Sequence, residues 1–472
     1  MAYPRLHVLE QADLEAIDLA TRDLLSHSGL HVHSALAREA LRAAGADLVD
    51  SGPRVRIPEA LLDENLRKAP HEIHLASRDG KRDLRVPDGR THVCTDGCGV
   101  HVLDLETGER RESTTKDLAD LTRVADGLGP LDYQWPMCVA GDVPSEIHGL
   151  VEAATALENT TKHIQHEALS AKEAEAMTDM AAAIVGGRRE LRRRPIISSI
   201  QCPVSPMVLE EGSTDALMAF GRAGVPVAPM SMVLMGGSSP VDLASALVVS
   251  NAEILASVVV SQVTAPGAPI FWSIASGPID MRSGSFGAGS PEMAVLSAAG
   301  TELARHYGLP SLIASLGCDA DTPGFQAAME KMGTGMFSLL TGPDTVSGIG
   351  GLDTDNTMSL EQLVLDAEIV GYIQRVMQPV PVREDAIHLD MLKRVGPAGN
   401  YLKERHTLLH FKEALWSSKL LLREGFVEGH PNEERVRTRA RARVRELLAE
   451  HEVAPLDADV HQRIWEIARP GC

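Results

Sequence analysis

Four tryptophans stand in a chain that is only 3% aromatic, and two of them, Trp135 and Trp272, fall where predicted strands give way to loops. An indole face attracts a cation by about 0.5–2 kcal/mol, so these two, with Tyr133 close to the first, are candidate walls around an alkylammonium group. The alternative for each is simple packing in the core. Met230, Met232 and Met235, followed by Gly236-Gly237-Ser238-Ser239, make one soft and flexible strand end. Gly348, Gly350 and Gly351 could cradle a phosphate, but no Lys or Arg follows within reach and Asp353 and Asp355 crowd the same loop.

Machinery for covalent or acid-base chemistry is not visible, and no residue is assigned a catalytic role. The chain has no Gly-x-Ser-x-Gly elbow, P-loop or paired Cys and His signature. His163 and His166 lie three residues apart on one predicted strand, which points them to opposite faces. Six cysteines (Cys94, Cys98, Cys138, Cys202, Cys318, Cys472) form no CxxC pair. Four of them map to strand ends, where buried unreactive thiols are the expectation and no metal site is assigned.

These residues need a scaffold that brings strand ends together. Strand-like segments at 92–97, 133–139, 163–168, 195–202, 227–233, 270–275, 311–316 and 345–352 alternate with helical ones at 115–127, 147–159, 171–185, 209–223, 242–263, 291–307, 324–341 and 360–376. Eight such units predict an α/β fold, a TIM (β/α)8 barrel, with its reaction site at the C-terminal ends of the strands. An open doubly wound sheet is the alternative, but Gly97-Cys98-Gly99 lacks the third glycine of its usual first turn. Within the sixth unit, Ser290 is placed to cap a helix that opens with Pro291 and Glu292. The expected layout is a mostly helical cap over 1–90, the barrel over 91–380 with a β-hairpin inserted at about 100–112, and a helical extension over 381–472 packing on the barrel.

A net charge of −20 argues against nucleic acid and anionic membrane as partners. No apolar run in the sequence reads as a membrane span of roughly 20 residues, and the N-terminus lacks a signal-peptide core, so a cytoplasmic protein is expected.

Six segments resemble the trimethylamine methyltransferase superfamily, the corrinoid-dependent methylamine and betaine methyltransferases. They are VLDLETGERRESTTKDLADLTRVAD (102–126), GPIDMRSGSFGAGSPE (277–292), HYGLPSL (306–312), GFQAAMEKM (324–332), SLEQLVLDAEI (359–369) and GNYLKERHTLLHFKEALW (399–416). The resemblance implies a TIM-barrel methyltransferase that moves an N-methyl group to the Co(I) of a cognate corrinoid protein. Cobalamin then belongs to that partner, with none bound tightly by this chain, and a homo-oligomer is expected. Family members that demethylate trimethylamine carry pyrrolysine after the seventh strand, where this chain reads Gly317-Cys318-Asp319-Ala320-Asp321-Thr322-Pro323. It therefore resembles the non-pyrrolysine members, such as glycine betaine methyltransferase. Carnitine, proline betaine, choline and trimethylamine are the rival substrates, and a quaternary-amine binding or sensor protein without turnover is the rival class. Candidate substrate contacts, chosen by strand-end position, are Tyr133, Trp135, Gln201, Met232, Trp272 and Arg282. Candidate loops facing the corrinoid or its carrier contain Gly236, Gly237, Gly317, Asp319, Asp321, Gly350 and Gly351.

Overall fold

The computed structural model describes residues 5–49, 52–382, 384–429 and 431–469. Cys472 lies outside them. Eight parallel strands form its centre: β1 (His92–Thr95), β2 (Tyr133–Gln134), β3 (His163–Glu167), β4 (Ile197–Ile200), β5 (the two pieces Val227–Ala228 and Met230–Ser231), β6 (Trp272–Ile274), β7 (Ser311–Ala314) and β8 (Thr345–Ile349). Pro229, which has no N–H to donate, divides β5. The first piece pairs with β4, the second with β6, and Val227 also bridges to Ile270, which closes the ring. Most of these strands are buried along their whole length, as a parallel sheet covered on both faces must be.

Each strand is followed by a helix of the outer layer: α1 (Thr115–Gly127), α2 (His148–Asn159), α3 (Ala171–Val185), α4 (Glu211–Ala223), α5 (Leu243–Thr264), α6 (Pro291–His306), α7 (Phe325–Leu340) and α8 (Leu360–Met377). Local signals start several of them. Thr114 and Asp117 form a capping box, and Ser170 and Ser359 each accept a backbone N–H of the first turn. Ser290 does the same for Met293, with Pro291 in the first turn, as expected from the sequence.

One helix corrects the sequence reading. At 22 residues α5 is long and apolar enough to cross a membrane, but 72% of its most apolar window is buried inside the protein. The segment was expected as a helix over 242–263, but Ser250, Asn251, Glu253, Ser257, Ser261 and Gln262 interrupt its apolar run, and all six are buried. The N-terminal helices Gln11–Asp23, Ala35–Ala43 and Glu59–Lys68 pack against it. α5 is thus a core helix between the barrel and the N-terminal segment.

That segment also closes the barrel floor. Strands Ile73–Leu75 and Leu84–Val86 pair as an antiparallel hairpin. Ile73, Leu75, Leu84 and Val86 join one buried cluster with the lumen residues Cys94, Tyr133, Ile200, Ala228, Met230, Phe271 and Leu312. At the opposite end, His101–Leu103, Arg110–Glu112, Gly351–Leu352 and Thr357–Ser359 make a four-stranded sheet beside the mouth. Helices Asn432–Glu450 and Ala458–Ala468 close over α8, α1, α2 and α3, and Arg437 and Arg441 clasp Glu361 at 2.6 and 2.8 Å.

Candidate functional site at the barrel mouth

Strand periodicity sorts the side chains into lumen and helix layer. Counting by twos from Cys94 puts Asp96 and Cys98 on the inner face of β1 and its continuation. The same count gives Tyr133 and Trp135 on β2, His163, Gln165 and Glu167 on β3, Ile200 and Cys202 on β4, and Phe271, Ser273 and Ala275 on β6. Trp135, Cys98, Cys202, Ala275 and Ala314 all belong to the lumen cluster. By this parity the inner positions of the eight strands carry no Lys or Arg.

Trp135 is held from below and behind. Thr95 Oγ1 both donates to its carbonyl and accepts its N–H, each at 2.8 Å. Gly97 lies against the indole, so that a β-carbon there would come within 2.3 Å of the ring. Only glycine lets β1 approach the ring this closely. The indole Nε1 is buried without a hydrogen-bond partner. So are both amide atoms of Gln165, which is 0% exposed, and the Ser273 hydroxyl. A buried polar group left unpaired costs about 1–3 kcal/mol, and most such groups in folded proteins are satisfied. Such groups facing the lumen from β2, β3 and β6 mark a place prepared for a ligand with polar and apolar parts.

Carboxyl groups complete the rim. The Cys98 thiol donates to Glu167 Oε1 at 2.8 Å, and Cys98 reaches this position with a left-handed φ of 65°. Burial, and then the Glu167 carboxylate, push the Cys98 thiol well up, while burial and Glu167 raise Cys202 to about 12. Both thiols are protonated at neutral pH and neither is a ready nucleophile. Across the mouth, Asp353, Thr354 and Asp355 take φ values of 53°, 55° and 65° in succession, which turns Asp355 toward Asp96. A side chain on Gly351 would meet Asp355 Oδ1 at 2.5 Å and Asp96 Oδ2 at 2.9 Å. Burial, and then the Asp96 carboxylate, push the Asp355 carboxyl well up. Left-handed conformations cost roughly 1–2 kcal/mol per non-glycine residue. With Met207 and Leu316, six of the eight such residues among the described ones lie in loops at this end of the barrel.

The loops themselves are anchored from behind. Lys331 of α7 lies 3.0 Å from Asp366 of α8, both 0% exposed, and donates to the Leu316 and Gly348 carbonyls at 2.9 and 3.1 Å. Asp366 also accepts from the Gly350 N–H at 2.7 Å. Outside the rim, Leu169, Val204, Met232, Val241 and Met281 stand exposed on the loops after β3 to β6, and Phe325 at the start of α7.

Over residues 1–469 the sequence matches the model of the family described as trimethylamine methyltransferase (MTTB). The chain belongs to the trimethylamine methyltransferase family. Members of this methyltransferase family pass methyl groups to corrinoid proteins. The chain is 34% identical to the trimethylamine methyltransferase MttB of Methanosarcina barkeri, over 98% of this chain and 94% of that protein. It is 29% identical to the glycine betaine methyltransferase of Desulfitobacterium hafniense strain Y51, over 98% and 96%. The crystal structure of the Methanosarcina barkeri monomethylamine methyltransferase (MtmB) superposes with a TM-score of 0.51 at 13% identity, covering 92% of this chain and 94% of that one, a likeness of fold.

The barrel of this family member separates the residues chosen by strand-end position. Trp135 lies at the upper lumen and Tyr133 below it. Met232 is 43% exposed at the rim. Trp272 does not face the mouth and is no wall of the lumen. It has the outward parity on β6, is 0% exposed, donates from Nε1 to Asn251 Oδ1 of α5 at 3.0 Å, and packs on Gly300 of α6. A strand-end position names the level along the strand, and only the parity names the face. Gln201 likewise shares the outward parity of Ile197 and Ser199, and its Nε2 donates to Ser199 Oγ at 2.9 Å. Arg282 is exposed on the 277–287 loop.

Of the loop residues, Gly236 and Gly237 turn the chain after β5, and Gly317 sits against the Ala288 carbonyl. Asp319, half-buried, accepts from Thr354 Oγ1 at 3.3 Å, whereas Asp321 is exposed. Gly350 is tied to Asp366 and Gly351 lies under the carboxyl pair. His163 and His166 do point to opposite faces. His163 bonds Ser198 Oγ and the Ala76 carbonyl, and burial lowers it to about 3. His166 turns outward to Glu152 at 3.4 Å. The paired role of Asp96 with Asp355, the Cys98–Glu167 contact and the unpaired Gln165 amide escaped the sequence reading. Counting by twos from Asp96 and Glu167 would have raised two of them; the meeting with Asp355 has no local signal.

Proposed function

We propose that the chain takes a methyl group from a cationic methylated ammonium bound between Trp135, Gln165 and the carboxyl groups of the mouth, and passes it to the Co(I) of a corrinoid protein docked on the apolar rim. The observation that carries this reading is a lumen that offers Trp135, Asp96, Asp355 and Glu167 with no Lys or Arg on its inner positions. Such a site favours a cation through both its charge and its indole face.

The chain's own work is binding, orientation and exclusion of water. A quaternary ammonium releases a neutral tertiary amine when its N–CH3 bond breaks. The bonding electrons stay on nitrogen, the Co(I) pair forms the new bond to carbon, and no proton is needed. The protonated Cys98 and Cys202 fit a step without a protein nucleophile. Glycine betaine is the leading substrate. The 29% identical relative supports it, as do the unpaired Trp135 Nε1 and Gln165 Nε2, which can donate to its carboxylate. A second reading, an ammonium without a carboxylate such as choline or trimethylamine, is favoured by the anionic rim. The relatives at 31–34% identity are named trimethylamine methyltransferases.

The test is spectroscopic. Purified protein is mixed with a reduced corrinoid protein and, in turn, glycine betaine, carnitine, proline betaine, choline and trimethylamine, while the Co(I) absorbance is followed. Loss of Co(I) with one amine identifies the substrate. Binding by calorimetry without Co(I) loss would make the chain a sensor, and neither signal with any amine would refute the reading.

A further inference from the structure

A cavity of about 600 Å³ opens at the end of the barrel remote from the mouth. His92 and Ser311, which start β1 and β7, and Asp344, which precedes β8, line its inner side, and the last turns of α6, α7 and α8 line its outer side. Its size is that of a small-molecule site, about 300–1,000 Å³. The methyl transfer proposed above takes place at the other end of the barrel and makes no use of it.

Two arginines converge on its edge. Arg305 of α6 donates from Nη2 to the Thr341 and Gly342 carbonyls at 3.0 and 3.2 Å, and a β-carbon on Gly342 would lie 3.3 Å from Arg5 Nε. The chain after Arg5 fixes it there. The Leu6 N–H donates to the Leu340 carbonyl at 2.8 Å, and the Val8 and Leu9 N–H groups donate to Glu302 of α6 at 3.1 and 2.8 Å. Among the described residues neither guanidinium forms an ion pair. Burial, and then the Arg5 charge, lower Arg305 from its ordinary value, so the two cations crowd each other.

The neighbouring carboxylates are committed elsewhere. Asp344 accepts from the Ser311 N–H and hydroxyl at 2.8 and 2.9 Å. Asp132 accepts from the Val93 N–H at 2.9 Å and faces His92 at 3.5 Å, and Asp88 holds Arg90 at 3.1 Å. The lining therefore carries three arginines and two histidines against two aspartates, in a chain of net charge −20. A guanidinium presents a planar fork of N–H donors that matches a phosphate or a carboxylate. Leu309, Leu339, Leu340 and Met377 give the same cavity an apolar side.

We propose that this cavity binds a small organic anion, its phosphate or carboxylate head held by Arg5 and Arg305 and its apolar body set against Leu340 and Met377. The test is titration calorimetry on the full chain at low ionic strength, with phenyl phosphate, phenylacetate and inorganic phosphate as probes. At least one of the two aromatic probes is expected to bind saturably and more tightly than inorganic phosphate, and the better of the two identifies the head group. Arg5→Gln is expected to weaken that probe about 10-fold or more, the worth of a hydrogen bond to a charged group. Its Tm without ligand stays that of the wild type, because the Arg5 side chain donates to no other described residue. Arg305→Lys keeps a donor for the Thr341 carbonyl but loses the fork, and is expected to weaken the probe likewise. Trp135→Leu, at the mouth, is expected to bind it as the wild type does. Absence of saturable binding by both aromatic probes at millimolar concentration overturns the proposal, as does equal affinity in Arg5→Gln and wild type. Inorganic phosphate binding as tightly as phenyl phosphate removes the organic body, and loss of the probe in Trp135→Leu moves the anion to the mouth; either result also overturns it.

Discussion

Removing the ammonium of Lys331 tests whether the mouth is held in shape by a buried ion pair. Lys331→Met keeps the length of the side chain and leaves Asp366 0% exposed without its cation, while the Leu316 and Gly348 carbonyls lose their donor. Breaking a buried pair from one side costs about 3–5 kcal/mol. Unfolding entropy near 2.1 cal/mol/K per residue gives about 1 kcal/mol/K for a chain of this length, so Tm falls by about 3–5 °C. The companion change Asp366→Leu frees the other side, and the double variant is expected to lose about 1–3 kcal/mol less than the sum of the two. Differential scanning calorimetry on the four proteins reads the cycle. Single-turnover methyl transfer is expected to slow as well, since Gly350 and the loop carrying Asp355 hang from Asp366. A Lys331→Met protein with wild-type Tm, or strictly additive losses, would show that the pair anchors nothing.

The two tryptophans part company in the same assays. Trp135→Leu is expected to weaken binding of a quaternary ammonium about 2- to 30-fold with little change in Tm, whereas Trp272→Ala costs about 3–5 kcal/mol of stability and acts on binding only through unfolding. Equal binding by Trp135→Leu and wild type in titration calorimetry sinks the cation wall. The Asp355 carboxyl beside Asp96 makes binding depend on pH. Its folded value is raised, so its contribution to stability is full below the unfolded carboxyl range and is lost as pH rises through the folded value. Ammonium binding gains a second negative charge over the same interval, so affinity rises with pH in the wild type and stays flat in Asp355→Asn. Parallel curves for the two proteins remove the Asp355 proton from the argument.

The barrel was legible because each of its eight units carries its own period and its own stop signals. The helix start at Ser290-Pro291-Glu292 is the clearest case, since cap, φ restraint and charge lie within three residues. What the sequence hid is what depends on the far side of a strand or on a distant loop. Trp272 and Trp135 occupy similar levels on β6 and β2, yet one faces the helices and the other the lumen, and aromatic character is the same for both. Asp96 and Asp355 are some 260 positions apart in the chain and meet because Asp353, Thr354 and Asp355 all adopt left-handed backbone. No propensity scale announces three such residues in a row.

The hairpin under the lumen has a kinetic consequence. With Ile73, Leu75, Leu84 and Val86 filling the floor, the described residues leave the lumen open at the mouth alone, and under the proposed function the carrier protein must stop that same doorway to reach the methyl group. Small molecule first, macromolecule second, then departure in reverse becomes a compulsory order. Excess carrier should therefore inhibit by capping empty barrels, with the inhibition relieved by raising the amine. Simple saturation by the carrier at every amine concentration would mean a second way in. A plug inherited from the first ninety residues thus sets the traffic rules of a reaction carried out by the other end of the barrel.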